Sequence, residues 1–180
     1  MKRCKWCNEN NPLYVYYHDK EWGVLNTNDK YLFEMLILES FQAGLSWECI
    51  LNKRLSFKAA YDNFNIEKVI SYDDKKIEEL LNNKNIIRNK LKIQASISNA
   101  KIFKNIQKEY SSFYKYLCQF IKEKPIFEIG KTTNDLSDMI SKDLIKRGMK
   151  FVGSTTIYSY LQATGFIYSH DKECFLFRNE

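Results

Sequence analysis

Five residues at the two ends of this chain, Cys4, Cys7, His18, His170 and Cys174, could hold a metal. The sequence has only two histidines, and each lies close along the chain to a terminal cysteine; His170-x3-Cys174 is a spacing from which two ligands can leave one helical turn or tight loop. Two Cys and two His complete a tetrahedral shell for zinc, and such a site would clasp the chain ends together. Cys4-x-x-Cys7 is itself a ligand pair, so spacing leaves open which cysteine joins the set. Without metal, His18 would be a surface or aromatic-cluster histidine and Cys174 a buried thiol. A thioredoxin-like use of Cys4-x-x-Cys7 lacks the preceding strand of a βαβ unit.

The second chemical feature is a carboxylate. In Leu36-Ile37-Leu38-Glu39-Ser40-Phe41-Gln42-Ala43-Gly44-Leu45-Ser46-Trp47, Glu39 follows Leu32, Met35 and Leu36 by seven, four and three residues, which at helical spacing puts it at the end of an apolar face. Burial raises a carboxyl pKa and demands a donor or cation, so Glu39 either has an internal partner such as Lys or Arg or waits for a ligand.

A third stretch, Arg147-Gly148-Met149-Lys150-Phe151-Val152-Gly153-Ser154-Thr155, closes one helix at Gly148, turns at Gly153 and starts another with Ser154 or Thr155 as its cap. The amides opening the second helix favour an anion, so a DNA phosphate could bind there without base contacts. Lys146, Arg147 and Lys150 around the turn add positive charge. The same pattern also serves an ordinary helical hairpin in a bundle. A nucleotide P-loop is excluded by the missing Gly-Lys-Ser/Thr.

The elements that must position these groups read as almost entirely helical. Residues 1 to 25 form an aromatic, turn-rich arm with a loop from Asn8 to Pro12. Thr27 or Asn28 caps a helix to about residue 42; Ser46 caps the next, and Ser56 restarts it through Phe64. Short helices near 66 to 70 and 73 to 81 lead to the polar turn at 82 to 85. A long helix follows, striped by Ile87, Leu91, Ala95, Ala100, Phe103 and Ile106, with Arg88, Lys90 and Lys92 as a solvated face. Phe113 to Ile121 is a further helix, ended by Lys122 to Pro125, and Thr133 or Ser137 begins the one that stops at Gly148. No repeat or long linker divides the sequence, so one domain over residues 1–180 is expected.

At 180 residues, 44% hydrophobic and 15% aromatic, the chain can bury a core. Five cysteines, an odd number, behind an N-terminus without an apolar signal core predict reduced or metal-bound thiols in a soluble, cytoplasmic protein with no membrane association. The net charge of +6 favours a polyanionic partner.

Together these residues resemble a family. Arg3-Cys4-x-Trp6, Tyr17-His18-Asp19-x-Glu21-Trp22-Gly23-Val24, Leu38-Glu39, Gln42-Ala43-Gly44-Leu45-Ser46-Trp47, Lys92-Ile93-Gln94-Ala95 and Lys150-Phe151-Val152-Gly153 are similar to the motifs of 3-methyladenine DNA glycosylase I, in that family's order and over nearly the whole chain. The resemblance implies an all-α, two-lobed helical bundle of the helix-hairpin-helix glycosylase superfamily, its hairpin at about 137–165. It implies base-excision repair of alkylated double-stranded DNA by a monomeric, monofunctional enzyme that flips out 3-methyladenine and releases it as product. Structural zinc would lie on Cys4, His18, His170 and Cys174, leaving Cys7 spare. Glu39 would be the catalytic-site carboxylate, with Tyr17, Trp47, Tyr14 and Trp6 around the base. Leu45, beside Gly44, would fill the vacated space in the DNA, with Lys150, Gly153 and Ser154 on the backbone. The Asp that the wider superfamily carries beyond the hairpin has no clear equivalent; Asp171, between two zinc ligands, is a poor candidate for a pocket base. A zinc-stabilised DNA-binding module without chemistry is the competing reading, and a zinc hydrolase would need an open coordination position.

Overall fold

Asn11 and Pro12 open the first helix where the sequence reading placed only a turn-rich arm. The Asn11 side chain accepts from the Leu13 amide, and Pro12 at the first helical position loses no bond, so the computed structural model has α1 at Pro12–Lys20. The structure describes residues 1–121 and 125–178, so the expected helix end at Lys122 to Lys124 falls outside it.

Asn28 caps α2 (Asp29–Gln42), and Asp29 in its first turn also accepts from the amides of Phe113 and Tyr114 and from Gln107. Every residue from Leu32 to Phe41 is buried, so α2 is a central helix packed on all sides, not a one-faced one as its spacing suggested. Gly44 turns the chain at φ +82°, and Ser46 caps α3 (Trp47–Asn52) through the Cys49 amide. The next helix, α4 (Arg54–Ala60), runs straight on from Lys53 without a side-chain cap, so Ser56 starts nothing, and Asp62, Asn63 and Phe64 take left-handed conformations in a short 3-10 turn.

Helices α5 (Ile66–Ile70) and α6 (Asp74–Asn82) precede the 21-residue α7 (Lys90–Tyr110), capped by Asn89. The expected stripe is partly inverted there: Leu91 is exposed, and Lys92 is buried. Ser112 caps α8 (Phe113–Leu117), shorter than expected. Asn134 begins α9 (Asp135–Lys146); Ser137 is its capping-box partner, not the cap, its amide donating to the Asn134 side chain (2.7 Å) while its hydroxyl accepts from the Asn134 amide (2.9 Å). Gly153 precedes α10 (Ser154–Ala163).

Two strands of two residues each accompany the helices, in keeping with a mostly helical fold. β1 (Ile126–Phe127) pairs in parallel with β2 (Ile167–Tyr168), and β2 runs directly into Ser169 and His170. Gly165, at φ +77°, lets the end of α10 pass against residues 24 and 25; a Cβ there would lie 2.2 Å from the Val24 carbonyl carbon and the Leu25 nitrogen. That crossing brings the C-terminal segment back onto the N-terminal arm.

Candidate functional site

Cys4, His18, His170 and Cys174 are all buried, and their ligand atoms lie within 4.8 Å of one another. Cys4 Sγ is 3.5 Å from His170 Nδ1, and Cys174 Sγ is 3.5 Å from both His170 Nδ1 and His18 Nε2. Tetrahedral bonds of about 2.0 to 2.3 Å require edges of that length, so the donor set fits a zinc ion. Its surroundings fit as well. His18 Nδ1 sits 2.7 Å from Asp19 Oδ1, and Asp19 is gripped by Arg3 through two bonds of 2.9 and 2.8 Å. Backbone amides of Asp171 and Leu176 donate to the two sulfurs. Burial pushes the Cys4 thiol up to about 12 and the His170 imidazole down to about 4, and the neighbouring Cys174 and His18 act in the same directions. Cys7 stands apart, its Sγ directed at the Tyr14 carbonyl (3.8 Å).

An aromatic wall grows from this cluster. Trp6 packs against His18 (5.2 Å between ring centroids), Trp22 (4.7 Å) and Tyr14 (5.3 Å), and Tyr17 packs against Trp47 (5.2 Å). Trp6, Tyr14, Tyr17 and Trp47 line a cavity of about 340 Å³ together with Glu39. α2 brings Glu39, α1 the two tyrosines and the start of α3 the indole.

Glu39 is 3% exposed, and burial raises its carboxyl pKa to about 8. Its Oε2 and the Nε1 of Trp47 are buried without a hydrogen-bond partner among the described residues. An acceptor and a donor thus sit unsatisfied in one aromatic cavity, which suits a flat heteroaromatic ligand with polar edges.

Sequence reasoning missed several lining residues. Gln42 follows Glu39 by three residues, so helical spacing could have found it. Ser159 and Gln162 reach the cavity from α10 and Lys131 from the loop after β1, placements only the fold makes. Asp171, set aside above as a pocket base, also lines the cavity, with its Oδ2 accepting from the Lys5 amide (3.0 Å).

Gln42 and Trp47 line the cavity on either side of the Gly44 turn, and Leu45 on that turn is 41% exposed. At the other turn, Gly153 and not Ser154 or Thr155 occupies the cap position. It is exposed, with open space where a Cβ would be, while the Ser154 hydroxyl bonds that of Ser137 (2.8 Å). No side chain caps α10, and Lys150 is exposed. Arg147, one of the three cations around this turn, is paired with Asp143 (2.6 Å) and Glu109 (2.6 Å).

Residues 6–178 match the methyladenine glycosylase family. The chain is 39% identical to DNA-3-methyladenine glycosylase 1 of Escherichia coli K12, over 97% of this chain and 96% of that protein. A crystal structure of 3-methyladenine DNA glycosylase I superposes with a TM-score of 0.93 at 39% identity, covering 98% of this chain and all of that one. A structure describing 3-methyladenine recognition by the Staphylococcus aureus enzyme superposes with a TM-score of 0.91 at 34% identity, covering 97% and 95%.

Proposed function

Because the chain belongs to the methyladenine glycosylase family, we propose that it hydrolyses the N-glycosidic bond of 3-methyladenine in alkylated DNA, as one domain acting as a monomer. The observation that carries the reading is the Glu39 carboxyl left unpaired beside the Trp47 indole in an aromatic cavity. Adenine methylated at ring nitrogen 3 is positively charged while joined to the sugar, so it leaves as a neutral base and little acid catalysis is needed. The cavity's task is then selection. Ring faces of Tyr14, Tyr17, Trp6 and Trp47 attract the cation, and its charge turns Glu39 into the carboxylate that accepts hydrogen bonds from the adenine edge. Trp47 Nε1 is free to donate to a ring acceptor.

The base must be extruded from the duplex to enter, at a few kcal/mol. Leu45, on the Gly44 turn between the cavity-lining Gln42 and Trp47, fills the space it leaves. The amides opening α10 at Gly153, with Lys150, hold the backbone in a helix-hairpin-helix arrangement, and phosphate contact makes binding fall with salt at a log-log slope of about −0.9 per phosphate neutralised. Water is the nucleophile. Lys131, which lines the cavity, is paired with Glu128 at 2.8 Å. Zinc on Cys4, His18, His170 and Cys174 would tie the chain ends beneath the aromatic wall; with all four positions taken by protein, its role is structural.

Incubation with methylated duplex DNA tests the reading. Free 3-methyladenine and intact abasic strands are expected. Absence of released base would leave a DNA-binding module, and strand scission would overturn the monofunctional step. Gly153→Glu, which puts a negative charge where phosphate is held, is expected to weaken binding to all sequences alike; undiminished affinity in the folded variant would make the turn purely structural.

A further inference from the structure

Among the buried polar side chains of helix α7, Lys92 and Asn99 lie seven residues and so about two turns apart on one face, outside the cavity lining. Lys92 Nζ donates to the carbonyls of Phe41 (2.8 Å) and Ala43 (2.5 Å), where α2 ends and the Gly44 turn begins. The same ammonium lies 5.8 Å from the centre of the Phe151 ring in the loop before α10. Asn99 holds that loop from beneath: its Oδ1 accepts from the Lys150 amide (2.9 Å) and its Nδ2 donates to the Lys150 carbonyl (2.8 Å). On the far side of Phe151, the Ser141 hydroxyl donates to the Val152 carbonyl (2.8 Å). Phe151 between them has φ +57°, a conformation a bulky residue keeps only where its surroundings impose it.

A lysine buried to 7% exposure normally faces a carboxylate, yet Lys92 faces carbonyls at a helix C-terminus and an aromatic ring. Those are what a cation needs to join two loops: the carbonyls carry the negative end of α2, and the ring belongs to the other loop. We propose that Lys92 and Asn99 are positioning residues that lock the Gly44–Leu45 turn to the Lys150–Gly153 loop, so that base displacement and phosphate binding act on DNA as one rigid unit. The proposal rests on the reading of both loops as DNA-facing. A pre-ordered pair of loops spends no binding energy on its own ordering, leaving more for extrusion of the damaged base.

The test is a double-mutant cycle of Lys92→Met with Leu45→Ala, read by single-turnover release from methylated duplex and by affinity for free 3-methyladenine. Lys92→Met is expected to slow release from duplex about tenfold or more while changing free-base affinity less than about twofold. Lys92→Arg is expected to restore most of the rate. In the Leu45→Ala background the further loss is expected to shrink below about twofold, because the turn being positioned no longer displaces a base. Phe151→Leu leaves the Lys92–carbonyl bonds intact and should show the same split, which keeps the test decisive if Lys92→Met does not fold. Equal loss of free-base affinity, or fully multiplicative losses with Leu45→Ala, would overturn the coupling and leave the DNA-facing reading standing. An unchanged rate in Leu45→Ala alone would instead remove the turn from the DNA face, and the coupling with it.

Discussion

Two glutamates five residues apart on α2 are equally buried and differently treated. Glu34, 5% exposed, accepts from Arg54 (2.6 Å) and lies 3.2 Å from Lys58; Arg54 also reaches Glu21 (2.6 Å), so this corner is a closed ionic network. Glu39, 3% exposed, has an oxygen with no partner, and burial alone raises its pKa to about 8. A buried carboxylate completed by its own chain stabilises the fold; one left incomplete costs stability and can be completed by a ligand. The Cys4, His18, His170 and Cys174 cluster belongs with Glu39, since its four buried donors face one another within 4.8 Å.

Supplying or withholding ligands and partners tests this division. The largest effect is expected from the metal. Elemental analysis should find about one zinc per chain. Chelation, or Cys174→Ser, should lower thermal stability more than any single change on α2, because the ion joins both chain ends. Cys7→Ser should keep the metal, and zinc loss there with retention in Cys4→Ser would reverse the ligand assignment.

Glu34→Gln comes next. It leaves Arg54 buried with Glu21 as its one carboxylate partner in the network, so about 3 kcal/mol of unfolding free energy should be lost in urea titration, at the lower end for a broken buried pair. Affinity for free 3-methyladenine in the folded fraction should hold.

Glu39→Gln should show the reverse pattern. Removing one charge-assisted hydrogen bond is expected to cost about 1.5 to 3 kcal/mol, roughly ten- to a hundred-fold in base affinity or single-turnover release, with no loss of stability. Wild-type release and affinity in a folded Glu39→Gln protein would return Glu39 to the structural class that Glu34 occupies.

The last effect is in pH. The folded protein holds the Glu39 proton up to a pKa of about 8, against an ordinary 4.5, so between those values the folded state binds more protons than the unfolded one. Wild-type stability should therefore decline as pH rises through that window and level off above it. Glu39→Gln lacks this decline and should gain relative to wild type from pH 5 to 8 in thermal melts. Parallel profiles would mean that a donor completes Glu39 in the free protein.

Much of this was legible in the chain. Asn28 and Ser46 announced their helices because a short polar side chain before an apolar run satisfies free amides wherever it occurs. The two histidines near terminal cysteines marked the metal cluster before any fold was known, although spacing alone could not choose Cys4 over Cys7. The misses have one cause. Leu91 reads as core and Lys92 as surface from local pattern, yet Lys92 is drawn inward by carbonyls from α2, about fifty positions away in sequence. Arg147 reads as positive charge at the turn until Glu109, 38 residues earlier, is seen to pair with it. Ser154 reads as a cap until Ser137 takes its hydroxyl.

The sequence by itself determined what is local in range: helix starts, glycine turns, the chemical types of the metal donors, and the presence of a carboxylate in an apolar helix. Tertiary structure decided which polar groups are satisfied by the protein and which are left for a ligand. Glu34 and Glu39 cannot be told apart from neighbours along the chain. Satisfaction depends on whether an arginine from another helix reaches within hydrogen-bond distance, and only packing fixes that.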